Sequence, residues 1–100
     1  MRQKTPVCPQ RIRRINNAFG WVDHRLVRDR HIETLGHPAC ALYLFLITVA
    51  DARGLSYYSD RSIGKRLAMD TDTLRQARDQ LIRNDLIAYK APFYQLLPLD

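Results

Sequence analysis

Hydrophobic positions along the chain fall into a few distinct rhythms. From Ala39 to Ala50 only Thr48 interrupts an apolar run, and Pro38 and Gly54 bracket it. Proline in a first helical turn lacks only an amide that a helix start leaves unpaired, and glycine accommodates the backbone that follows a helix end. The bracket predicts a helix over roughly Pro38–Arg53. Its apolar residues form two stripes, one of Leu42, Phe45, Leu46 and Val49 and another of Tyr43, Ile47 and Ala50.

Upstream, Phe19, Trp21 and Val22 suggest a short extended segment, and Asp23 offers a helix cap. Leu26, Val27, Ile32 and Leu35 are too irregularly spaced for one amphipathic helix, so one or two short helical turns ending at Gly36 are expected. Downstream, Leu55–Tyr58 reads as extended, and Ser59 caps a helix that places Ile63 and Leu67 on one face. Ala68, Met69 and Asp70 make a tight turn. Asp70 or Thr71 then caps a second helix, whose Leu74, Ala77 and Leu81 share a face and which ends near Asn84 and Asp85, residue types tolerant of left-handed backbone. Leu86–Lys90 and Phe93–Leu97 read as the two strands of a hairpin around Ala91 and Pro92.

One hundred residues, 46% hydrophobic and 26% charged, fit one globular domain and exclude a large multidomain enzyme. The apolar run is too short for the roughly 20 residues a membrane helix needs. The 16 Lys and Arg against 10 Asp and Glu give a net charge of +6, which favours a polyanionic partner. That charge is unevenly placed: Arg2, Lys4, Arg11, Arg13 and Arg14 fall in a stretch without acids, leaving 11 bases against 10 acids from Ile15 onward. Residues 1–14 therefore read as a basic flexible arm and residues 15–100 as a single domain. Cys8 and Cys40, without paired spacing or a secretory leader, predict free thiols in a reducing cytoplasm.

No spacing among His24, His31, His37 and the cysteines suggests a metal site, and no glycine-rich phosphate loop or nucleophile elbow is present. No enzymatic chemistry, cofactor or small-molecule substrate is expected.

The segment SDRSIGKRLAMDTDTLRQARDQLIRNDLIAY, Ser59–Tyr89, resembles a winged helix-turn-helix. The matches are Ile63 and Leu67 in the first helix, Met69 in the turn, Thr73, Leu74, Ala77 and Leu81 in the second, and the exit Leu86-Ile87. Within that superfamily the chain looks most like DNA-binding domains of phage and plasmid replication initiators and small proteins of mobile elements. The resemblance spans Gly36–Leu97 and implies a mainly α fold with a small β-hairpin. Gly64 stands where alanine is usual, Arg78 where an apolar residue is common, and Asp85 where glycine is common.

The resemblance implies that the second helix enters the major groove of double-stranded DNA, where each base pair presents its own donor and acceptor pattern. With Leu74, Ala77 and Leu81 inward, Asp72, Arg75, Gln76, Asp79 and Arg83 point out. Thr71, Asp72, Thr73, Arg75 and Gln76 become the candidate base contacts, with Arg75 suited to guanine and Gln76 to adenine. Arg61, Lys65, Arg66, Lys90 and the Arg11, Arg13 and Arg14 arm are the candidate phosphate contacts. The short Ala91-Pro92 wing has little reach, and Tyr57, Tyr58, Phe93 and Tyr94 are expected to pack the sheet rather than stack on bases. This reading makes the chain a regulator or accessory factor in transcription, replication or transposition.

A second reading comes from the near-neutral body and the two-striped helix: a winged-helix interaction module without direct DNA binding. It forms a homodimer through Leu42, Tyr43, Phe45 and Leu46, or docks onto a larger partner.

Overall fold

The computed structural model describes residues 5, 7–11 and 22–99. Arg2, Lys4, Arg13, Arg14, Phe19 and Trp21 lie outside the described residues, and with them most of the basic arm. Arg11 closes a 3-10 turn, Pro9–Arg11, by donating its amide to the Cys8 carbonyl.

Asp23 accepts the Arg25 amide at 2.9 Å and pairs with the Arg25 guanidinium, which holds its carboxyl down at about 2. It thereby starts helix α1, Arg25–Arg28, and a 3-10 turn at His31–Thr34 follows. The sequence's irregular apolar spacing thus becomes two short turns. Helix α2, His37–Val49, ends four residues before the sequence suggests. Asp51 is the reason: its Oδ1 accepts the amides of Arg53 and Leu55, offering the backbone an alternative to another helical turn. Gly54, with φ of 81°, belongs to that turn and not to the helix end.

Strand β1 is Leu55–Tyr57, followed by helices α3, Asp60–Leu67, and α4, Thr71–Arg83, and then strands β2, Ile87–Lys90, and β3, Phe93–Leu96. Ser59 accepts the Ser62 amide at the start of α3, and Asp70 accepts the Thr73 amide at the start of α4, as their residue types lead one to expect. At the end of α4, Asp85 takes the left-handed conformation.

The architecture of the described residues is α+β, with a three-stranded antiparallel sheet in the order β1-β3-β2. The hairpin is the one read from sequence; β1 joins it by pairing Leu55, Ser56 and Tyr57 with Gln95, Tyr94 and Phe93. One core runs through Leu26, Leu42, Leu46, Ile63, Leu74, Leu81, Ile87 and Tyr94, with α2 and α4 packed across its middle.

That core corrects the expected dimer contact. Leu42, Tyr43 and Leu46 are buried inside the chain itself, and Phe45 meets Tyr58 edge to face at 5.2 Å. Most of both stripes is covered by the fold, because α4 and β3 pack on α2, and Leu26 and Ile32 of α1 and its 3-10 turn lie beside Tyr43 and Ile47. The exposed apolar residue of α2 is Leu44.

Candidate nucleic-acid interface

Two helices and a three-residue turn form the unit to which the candidate contacts belong. Ala68 ends α3 in the left-handed conformation, with φ of 54°, so the Met69 amide reaches the Gly64 carbonyl at 2.9 Å. The same turn explains why residue 64 is glycine: a Cβ there would lie 2.8 Å from the Met69 carbonyl oxygen. An alanine would force backbone to move. The departure from the helix-turn-helix pattern follows from the tightness of this particular turn.

Helix α4 buries Leu74, Ala77 and Leu81 and leaves Thr71, Asp72, Arg75, Gln76, Asp79 and Arg83 exposed, with Thr73 half-buried. Its carboxylate cap is strong: the Thr73 amide and hydroxyl hold the Asp70 carboxyl below its ordinary 3.8. The cap therefore stabilises α4 above that pH and is lost as acid protonates it. Ile82, also exposed, follows Arg75 by seven positions and so lies on the same side of the helix.

On α3, Arg61 and Lys65 lie one turn apart on one side, and Arg66 lies on the other; all three are exposed. Lys90 is exposed at the end of β2 beside Ala91 and Pro92, which are joined by a cis peptide bond. Among the described residues, none of Arg61, Lys65, Arg66, Arg75, Arg83 and Lys90 is in an ion pair.

Arg78 is the charge that the pattern does not anticipate. It is buried on α4, where its Nη1 donates to Asp60 Oδ1 at 2.7 Å and to the Tyr94 hydroxyl at 3.0 Å, and its guanidinium lies 4.3 Å from the centre of the Tyr89 ring. Burial opposes its charge, but the Asp60 and Tyr94 hydrogen bonds outweigh that and hold its pKa above the ordinary arginine value. Burial also raises the Tyr94 phenol despite the nearby cation. One side chain thus ties the start of α3, the middle of α4 and both hairpin strands together. A single arginine at an apolar position gives no sequence signal for this, because its partners lie 16 and 18 residues away. At the other end of α4, Gln80 Oε1 accepts the Gly36 amide, and Asn84 Oδ1 accepts the Thr34 hydroxyl.

Two of the four candidate sheet aromatics pack as expected: Tyr94 is buried against Tyr89, and Tyr58 sits against Phe45. Tyr57 and Phe93 pack against each other across β1 and β3, but on the face of the sheet turned away from the helices, where both stay largely exposed.

Cys8 and Cys40 are both free, and His31 places an unpaired Nε2 in the interior. Among the described residues no three His, Cys, Asp or Glu side chains cluster as metal ligands would, and no helix is long and apolar enough to cross a membrane. An apolar groove of about 180 Å³ lies between α1, the 3-10 turn and α2, lined by Val22, Leu26, Ile32, Tyr43, Leu44 and Ile47 among others. No family model matches the chain, and no curated protein or solved structure is significantly similar to it.

Proposed function

We propose that the chain is a winged-helix DNA-binding protein that places α4 in the major groove of double-stranded DNA and acts without chemistry of its own. The observation that carries this reading is the exposure of Arg75 and Gln76, neither in an ion pair, near the start of a helix whose other face is locked into the core. Both side chains can make two hydrogen bonds to one base, Arg75 to guanine and Gln76 to adenine. Arg61, Lys65, Arg66 and Lys90 supply phosphate contacts, which position the protein without reading sequence. Asp72 and Asp79 lie on the same exposed face and weaken attraction to the backbone, although a carboxylate there suits the amino group of cytosine. The free cysteines fit a cytoplasmic regulator or an accessory factor of replication or transposition.

The test is a titration with random duplex at two salt concentrations, followed by selection of a preferred site. Arg75→Ala or Gln76→Ala is expected to cost about 1–3 kcal/mol on that site and leave weak binding to random duplex nearly intact. Arg61→Ala and Lys65→Ala should instead weaken every duplex and lower the salt slope by about 0.9 for each phosphate that is no longer neutralised. Full discrimination by correctly folded Arg75→Ala and Gln76→Ala proteins would rule out α4 as the reader.

A second reading, a homodimerising interaction module, draws on the α1–α2 groove, whose lining includes Val22 and Leu44 at 44% and 62% exposure. It relocates the interface from the buried stripe to Leu44. Sedimentation at rising concentration should then show a dimer that Leu44→Glu dissociates; a monomer throughout refutes it.

A further inference from the structure

We infer that the uncovered face of the sheet is a stacking platform for the bases of single-stranded nucleic acid, separate from the α4 surface. Successive residues of a strand point to opposite faces, and the register aligns Lys90, Phe93 and Tyr57 in one row across all three strands, with Ala88 and Gln95 in the next. Tyr57 is 69% and Phe93 58% exposed. Their ring centres are 5.7 Å apart and tilted by 47°, so they support each other while each keeps an open surface. The rest of this face is a shallow groove of about 170 Å³, bordered by Leu55, Ala88, Lys90 and Gln95.

The chemistry of the row selects the occupant. Two exposed rings bind any base through its π-face, and the adjoining Lys90 meets the phosphate between bases. Within the paired strands no carboxylate lies in these rows; Asp51 borders the neighbouring hollow beside Leu55 and Tyr57, at the far end of the row from Lys90. The chain's net charge of +6 favours a polyanion. The apolar surface, the ring pair with Leu55 and Ala88, is small and is bordered by Lys90 and Gln95, which fits a charged strand better than a hydrophobic protein surface. A duplex keeps its base faces stacked inside, so the platform acts only on an unpaired strand.

Fluorescence anisotropy of the full chain with labelled twelve-residue oligothymidylate, beside a random duplex in the same buffer, tests the platform. Wild-type protein should bind the single strand. Tyr57→Ala and Phe93→Ala should each weaken that binding by about 5- to 150-fold, the loss typical of one base–aromatic stack, and leave duplex binding unchanged. Tyr57→Phe and Phe93→Tyr keep a ring and should bind as wild type, a rescue that distinguishes stacking from a general effect on the fold. Arg75→Ala should leave oligothymidylate binding intact even if it abolishes duplex recognition, so failure of the α4 reading and failure of the platform are separable. The platform is refuted if wild-type protein does not bind the oligonucleotide, if both alanine variants bind it normally, or if Arg75→Ala abolishes single-strand binding.

Discussion

Leu74→Ala should lower the stability of the chain by about 2–5 kcal/mol, the cost of removing a buried leucine and leaving part of its volume empty. Leu74 is fully buried on α4, among side chains from the other helices and the sheet, and interiors this closely packed collapse only in part around a void. For a domain of this size the loss translates into a fall in melting temperature of many degrees, since each kcal/mol shifts it by about 4–8 °C. Calorimetry of Leu74→Ala beside Arg75→Ala isolates the two faces of α4. The first should melt early, and the second should melt as wild type. A Leu74→Ala protein that melts with wild type would contradict the packing described for α4.

The second large effect concerns Asp60, whose removal strands the Arg78 guanidinium. Breaking a buried pair by deleting one partner typically costs 3–5 kcal/mol, and the Asp60 side chain is 34% exposed, so water softens the loss to about 3 kcal/mol for Asp60→Ala. Replacing the cation should behave differently. Arg78→Met alone leaves the buried Tyr94 hydroxyl without its partner, whereas Arg78→Met with Tyr94→Phe removes both the buried charge and the orphaned hydroxyl, leaving only the Asp60 carboxylate, which is 34% exposed and sits in the first turn of α3, where negative charge is favoured. The double variant is expected to be clearly more stable than Asp60→Ala, although Arg78→Met forfeits the cation–ring interaction with Tyr89. Chemical denaturation gives the order; equal destabilisation of the two proteins would show that burial of the charge is not what Asp60 offsets.

The readable parts of this fold are those encoded within a few residues. Asp70 as a cap and Leu74, Ala77 and Leu81 at spacings of three and four fix both the start of α4 and the face it buries, so its exposed residues follow from geometry. The end of α2 is not readable in the same way, because Ala50 and Asp51 continue an acceptable helical composition and only the side-chain turn at Asp51 diverts the chain. The pairing of β1 with β3 joins residues some 40 positions apart, and no local pattern reports it. The same limit hides the site features. Whether an apolar stripe meets its own chain or another depends on the packing of distant elements, which places Leu42 and Leu46 inside and Leu44 outside. Aromatic spacing in the strands is visible in the sequence, but the covering of only one side of the sheet by helices is not, and so the pattern alone does not show that the Tyr57–Phe93 pair stays exposed.

The strand order carries a consequence for how the molecule comes into being. In synthesis, β3 emerges after β1 and β2, yet it lies between them, and neither of the earlier strands pairs with the other. A nascent chain lacking Phe93–Leu96 already holds Leu42, Leu46, Leu74 and Leu81 but lacks the Tyr94 that completes the same core. Its two early strands have no neighbour, and unpaired strand edges invite association with other chains. Arrival of β3 pairs one edge of each early strand in a single step and leaves their outer edges open, with the Gly54 carbonyl accepting the Leu96 amide at the β1 side of the sheet. A chain cut short before Phe93 therefore forfeits the entire sheet and not one strand of it, together with the Tyr94 hydroxyl that accepts a hydrogen bond from Arg78.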